Sequence, residues 1–212
     1  MSRITQESFL KAFAETWNEQ RKLGGIAEHW PNPEDPEKIS PQWKILMIGK
    51  AGSPSPSILG KMLEKFRVLD TKMKFRYELY TVDVAIVGGT DTFQKDLRYP
   101  SSVYAVIEHE MNWYPEEEMW KLLHWRCPLK VLITYDYTED QKKGRPSRQT
   151  WLDKKIETLW QMRDAVDGFQ GDEQGTNYLF LIGETKYPDG QVGGWRYASS
   201  EPDGRRPRSL PL

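Results

Sequence analysis

The sequence has a single cysteine. Cys127 has no partner within the chain, so no intrachain disulfide can form, and a four-cysteine zinc site is excluded. Long hydrophobic runs are also missing. No segment reaches the ~18 consecutive apolar residues of a membrane-spanning helix. The opening "MSRITQESFLKAF" lacks the apolar centre of a signal peptide. Nor does one sign of charge prevail: 30 Lys and Arg face 31 Asp and Glu. Net charge therefore announces neither a nucleic-acid nor a membrane partner, although a local basic groove stays open. Together these absences make a soluble, cytoplasmic protein the expectation. There is no internal repeat and no sign of a second domain. What the chain does have is aromatic mass. Nine Trp, within 212 residues that are 38% apolar, fit a folded globule with one sizeable core.

Periodicity divides this single domain, residues 1–212, into recognisable pieces. "TQESFLKAFAETWNEQRKLGG" predicts a helix capped by Thr5, with Phe9, Phe13 and Trp17 every four residues and Gly24 at its end. It opens a helical N-terminal segment of about 50 residues. "QWKILMIGKAG" fits strand or helix. "SPSPSILGKMLEKFRVLD" predicts a capped helix. Strand text begins at "KFRYELYTVDVAIVGG". There Val82, Val84 and Ile86 alternate with Asp83, Ala85 and Val87. "SVYAVIEHEMN" continues it, with Val103, Ala105 and Ile107 on one face and Tyr104, Val106, Glu108 and Glu110 on the other. "YPEEEMWKLLHWRC" predicts a helix with Pro115 in its first turn and Glu116, Glu117 and Glu118 where the macrodipole favours them. "LKVLITYDY", "TWLDKKIETLWQMRDAVDG" and "TNYLFLIGET" predict strand, helix and strand. The tail from about residue 187 to 212, rich in Gly, Pro and Arg, predicts irregular structure. Strand–helix–strand order favours parallel pairing, and the first strands suit a hairpin. The fold class is α/β, a mixed central sheet flanked by helices.

The chemistry gathers at three carboxylates. Asp83 interrupts one apolar strand, and Glu108 and Glu110 interrupt the next. If those strands are neighbours, the acids converge. Nearby ionised carboxylates repel one another, so protons or a cation must neutralise them. A set of oxygen ligands suits a hard cation such as Mg²⁺ or Mn²⁺. The competing reading leaves the acids in solvent at a strand end, or paired with Lys or Arg.

"VDVAIV", followed after about two dozen residues by "YAVIEHEMN", resembles the PD-(D/E)XK nuclease superfamily, the restriction-endonuclease-like fold. The resemblance covers roughly residues 55–185. It implies a helix, a three-stranded antiparallel meander, a helix and a further strand. Asp83 matches the acid of the second strand, and Glu108 matches the first acid of the third. Glu110 stands where the family usually has lysine, a Glu-x-Glu variant. The resemblance implies that Asp83 and Glu108 hold Mg²⁺ or Mn²⁺, with the His109 carbonyl as a further ligand. Glu110 would orient or deprotonate the attacking water. Glu64, on the helix before the sheet, and Lys121, on the helix after it, match supporting residues of some members. Read as exposed helical charges, both are ordinary. The implied activity is metal-dependent hydrolysis of phosphodiester bonds in nucleic acid, taken as DNA, with a homodimer as an analogy for two-strand cutting. The alternatives are a catalytically inactive nucleic-acid-binding or assembly module of that fold, and an unrelated α/β enzyme acting on another phosphorylated substrate.

Other signals fall away. "HEMNW" begins like a zinc-protease motif, but Trp113 stands where the second His is needed. His29 and His124 lack partners at ligand spacing. Trp113, Trp120 and Trp125 read as core packing rather than as base-stacking platforms. "KDLR", "DQKKGRPSR" and "DGRRPRS" could track a phosphate backbone or lie solvated.

Overall fold

A computed structural model describes residues 4–24, 26, 41–50, 57–68, 70–79, 81–88, 102–111, 114–136, 148–170, 175–184, 193–200 and 204–210. Helix α1 spans Gln6–Leu23, α2 Pro41–Met47 and α3 Ile58–Phe66. Strands β1 (Lys74–Leu79), β2 (Val82–Gly88) and β3 (Ser102–His109) follow. Then come α4 (Pro115–Leu123), β4 (Leu129–Asp136), α5 (Arg148–Gln170), β5 (Asn177–Glu184), β6 (Trp195–Ser199) and β7 (Arg208–Ser209).

The seven strands form one sheet in sequence order, β1 to β7. β1–β2 and β2–β3 pair antiparallel, β3–β4 and β4–β5 parallel, and β5–β6 and β6–β7 antiparallel. Helices cover both faces. Val84, Ile86, Ala105, Ile107, Val131, Ile133, Leu179 and Leu181 pack with α1, α2 and α3. Ala85, Val87, Val106, Leu132, Phe180 and Ile182 pack with α4 and α5. A strand sandwiched in this way is apolar on both sides, and β4 is buried along its whole length.

Local chemistry explains the ends. The Thr5 side chain accepts from Ser8 N, and the Ser8 hydroxyl accepts from Thr5 N, closing a capping box on α1. Ser57 Oγ accepts from Gly60 N and starts α3. "QWKILMIGKAG" resolves as helix: Trp43 and Met47, four residues apart, are both fully buried.

Three features depart from the sequence pattern. Between β2 and β3 the pairing passes from Ile86–Ala105 to Val87–Val103, which leaves Tyr104 as an extra residue. That bulge moves Val103 to the α4/α5 side and Tyr104 to the other. Val82, at the start of its strand, likewise packs with Ala85 and Val87 rather than with Val84. The tail expected to be irregular contributes β6 and β7. Trp195 explains this, because it is 1% exposed and stacks edge-on against Phe13 and Trp17 of α1. Among the described residues, no helix is long and apolar enough to cross a membrane.

Candidate active site at the β2–β3 strand pair

The antiparallel register pairs Val84 with Ile107, so one step further on Asp83 stands opposite Glu108. The two are joined through the backbone. Asp83 N donates to Glu108 Oε2 at 3.3 Å, and His109 N donates to Asp83 Oδ2 at 3.0 Å. The other Asp83 oxygen, Oδ1, accepts from Lys44 Nζ of α2 at 2.7 Å. Asp83 is thus satisfied on both oxygens.

Glu108 is not. It is 1% exposed, and its Oε1 meets no hydrogen-bond donor. α4 packs over this part of β3 and brings up the carboxyl of Glu118. Burial first, then the negative charges of Glu118 and Asp83, push the Glu108 pKa up to about 10. A proton on either carboxyl lets Glu108 and Glu118 share a hydrogen bond. At neutral pH Glu108 therefore keeps its proton. Lys121, one turn along α4, forms an ion pair with Glu118. Burial works against its charge. The hydrogen bond to Glu118 and the charges of Glu108, Glu118 and Asp83 outweigh that and hold its pKa above the ordinary lysine value.

Glu110 follows the last residue of β3. Its N–H still bonds Ile133 O at 2.8 Å, and its side chain is half-buried. The strand ends at His109, so strand alternation does not itself hold Glu110 beside Glu108. His109, one residue on from Glu108, turns to the opposite face. Its Nε2 lies 2.8 Å from the Tyr135 hydroxyl, which also accepts from Trp43 Nε1 at 2.7 Å. Gly183, opposite Tyr135 on β5, makes room for that ring: a Cβ there would stand 2.6 Å from Tyr135 Cδ1. Burial lowers the His109 pKa to about 3, so its ring is neutral.

Of the supporting residues, Lys121 joins the carboxylates. Glu64 is 61% exposed at its side chain and pairs with Arg67 three residues on, at 2.9 Å. Two members of the site were not foreseen in the sequence. Glu118 was read only as a helix-dipole residue; its i,i+3 spacing sets it beside Lys121 but does not say which element the pair meets. Lys44 carried no signal, because its segment was ambiguous between strand and helix.

The metal site suggested by the acids can be tested on the donor set. Among the described residues, no group of three or more His, Cys, Asp or Glu side chains is arranged to hold a metal ion. Mg²⁺, however, commonly takes only one or two carboxylates and keeps several waters. Two facing carboxylates, one with a buried oxygen that lacks a donor, fit that requirement.

The basic segments contribute little. "KDLR", and "DQKKGRPSR" up to the backbone of Arg148, lie outside the described residues, as do His29 and Trp113. In "DGRRPRS", Arg205 pairs with Asp164 and covers Trp160, and Arg208 lies over Tyr197. Trp120 departs from the core expectation. It is 54% exposed and stacks edge-on against His124 on the outer face of α4. Comparison with family models, curated proteins and solved structures finds no match.

Proposed function

We propose that the chain is a metal-dependent nuclease of restriction-endonuclease-like type that hydrolyses phosphodiester bonds of DNA. The observation that carries this reading is Glu108, a buried carboxyl with an unsatisfied oxygen, set opposite Asp83 and against Glu118. An apolar core gains nothing from such a cluster, which is costly unless paired. The order of elements adds support: a helix, a three-stranded antiparallel meander, a helix and a parallel strand.

In this reading Asp83 and Glu108 would hold Mg²⁺ or Mn²⁺. When bound, the ion stabilises charge on the phosphodiester and on the attacking water. The chain's own groups do the rest. Glu110, at the end of β3, accepts a proton from the water. Lys121 balances the carboxylates and offers a positive charge beside the phosphate. The backbone N–H of His109 fixes Asp83 in place.

The second reading, a non-catalytic DNA-binding module of the same fold, is favoured by Glu110 at the usual lysine position and by Lys44 on Asp83. A thermal-shift titration with Mn²⁺, followed by a cleavage assay on linear DNA, separates the two. Mn²⁺ should raise the melting temperature of the wild type, and Asp83→Asn or Glu108→Gln should abolish that rise. Glu110→Gln should lower cleavage by about a hundredfold or more, the lower scale of general-base contributions. DNA binding without cleavage under any divalent metal would establish the second reading instead.

A further inference from the structure

We propose that Lys44 is a built-in stand-in for the cation at Asp83, holding the site closed until a divalent ion displaces it. The inference rests on the metal-site reading above and concerns how that site is regulated.

The geometry is direct. Lys44 Nζ sits 2.7 Å from Asp83 Oδ1. Oδ2 is already committed to the backbone N–H of His109 at 3.0 Å. Oδ1 is therefore the Asp83 oxygen left for a metal, and the ammonium group occupies it. The neighbouring carboxyl shows why a cation is wanted at this place. Glu108 is almost wholly buried, and its Oε1 meets no donor. Lys44 brings charge to Asp83 alone, and Glu108 has only the carboxyl of Glu118 to share a proton with. A divalent ion between the two carboxylates would serve both, and it carries twice the charge.

The helix that carries Lys44 is built for such an exchange. Trp43, the preceding residue, is fully buried, and its Nε1 donates to the Tyr135 hydroxyl at 2.7 Å. Met47, one turn on, is fully buried as well. These residues anchor α2 whether or not Lys44 is paired. The Lys44 side chain is 43% exposed, so its amine can swing into water without disturbing that anchor. Only one flexible side chain has to move.

The consequence is competition. Mn²⁺ must displace an ammonium group to reach Asp83, so removing that charge should tighten Mn²⁺ binding. An ammonium group in contact with a carboxylate opposes the approach of a second cation by Coulomb repulsion, and by less where water screens the pair. Lys44→Met keeps most of the aliphatic stem and removes the charge. Mn²⁺ binding to the full-length, DNA-free chain can be followed by the loss of the free-ion electron paramagnetic resonance signal. Lys44→Met should bind Mn²⁺ about tenfold more tightly than the wild type, as a partly screened like-charge contact implies, and Lys44→Arg should restore weak binding. In an Asp83→Asn background the Lys44 substitution should make no difference. A second readout needs no variant. Mn²⁺ should increase acetylation of Lys44 by a water-soluble reagent, read by mass spectrometry, because displacement frees the amine.

The outcomes separate cleanly. If wild type and Lys44→Met bind Mn²⁺ with equal affinity and both depend on Asp83, Lys44 is an ordinary ion pair and this inference falls, while the metal site stands. If neither protein binds Mn²⁺, the inference and the metal-site reading fall together. If Lys44→Met binds more weakly, Lys44 supports the site rather than plugging it, and the inference is overturned.

Discussion

Glu108 and His109 are adjacent in the chain, and the pleat of β3 sends them to opposite faces of the sheet. Both are almost fully buried polar residues, and the two faces treat them in opposite ways. On the α2 side, His109 meets the Tyr135 hydroxyl, which accepts from Trp43. The indole can only donate, and the hydroxyl can donate onward to a neutral imidazole. Burial holds the ring in that neutral form. On the α4 side, Glu108 meets two more carboxyls, and one of its oxygens has no donor. One face avoids the cost of buried charge by neutrality. The other gathers the carboxyls of Glu108, Glu118 and Asp83, with Lys121 of α4 paired to Glu118 and Lys44 reaching Asp83 from α2. Each residue keeps one buried atom without a partner, Oε1 of Glu108 and Nδ1 of His109, so it is the clustering of carboxyls rather than satisfaction alone that sets the α4 side apart.

The largest effect should come from breaking the neutral face. Trp43→Ala removes a fully buried indole and the donor to Tyr135. A loss of about 3–5 kcal/mol is expected for such a truncation, read by urea denaturation. A loss below about 1 kcal/mol, the scale of a mild surface change, would mean that α2 is not anchored through Trp43. Tyr135→Phe is the milder break. It keeps the ring against Gly183 and deletes only the hydroxyl that joins Trp43 Nε1 to His109 Nε2. Leaving buried polar atoms unpaired should cost about 1–3 kcal/mol. The Mn²⁺ response of the melting temperature should be unchanged, since no carboxylate is touched. A lost Mn²⁺ response would show that the two faces are coupled.

The contrast sharpens with pH. The Glu108 pKa is raised from 4.5 to about 10 in the folded chain. Between those values the folded state holds a proton that the unfolded state has released. Metal-free stability should therefore fall as pH rises through that window, by at most about 1.4 kcal/mol per pH unit. The His109 pKa is lowered from 6.5 to about 3. Between those values the unfolded state binds the extra proton, so stability should fall as pH drops. The two slopes oppose each other between pH 4.5 and 6.5, and above that range the His109 contribution to the slope is gone while that of Glu108 continues. Glu108→Gln should flatten the alkaline limb of a urea-denaturation series run in chelator from pH 6.5 to 9. An unchanged slope would mean that Glu108 is already ionised in the folded chain.

The legibility of these two faces in the sequence was uneven, for physical reasons. Asp83 and Glu108 stood out because a carboxylate inside an apolar alternating run contradicts its surroundings. Their pairing stayed conditional on the two strands being neighbours, and only the family resemblance implied the meander that pairs them. His109 entered the sequence reading through its carbonyl and its place between two acids, not through its ring contact, since Tyr135 lies far away in sequence. Tyr104 misled, because a bulge inserts one residue without any Gly or Pro to announce it. Trp195 was lost in a tail whose composition reads as loop, although its ring completes the aromatic cluster on α1. Lys44 could not be placed before its segment was known to be a helix. Glu118 could be placed on a helix but not on a face. Local rules reach caps and periodicity; contacts between distant elements are set by packing.

The smallest effect is expected at Glu64, and it tests where the charged face ends. In the family that the strand motif resembles, the helix before the sheet often supplies a further glutamate. Here α3 is that helix, and Glu64 would be the candidate. Its side chain is 61% exposed and pairs with Arg67 at 2.9 Å, an ordinary i,i+3 surface pair. Such pairs contribute about 0–1 kcal/mol. Glu64→Gln should therefore change stability within that range, less at high salt than at low. The Mn²⁺-induced rise in melting temperature should equal that of the wild type, in contrast to its loss in Glu108→Gln. The comparison works because the two substitutions are chemically identical. Each replaces a carboxylate with an amide of the same shape, one in water and one in the core. A Mn²⁺ response reduced by Glu64→Gln would extend the site across α3 and assign Glu64 the supporting role that its position on the helix suggests.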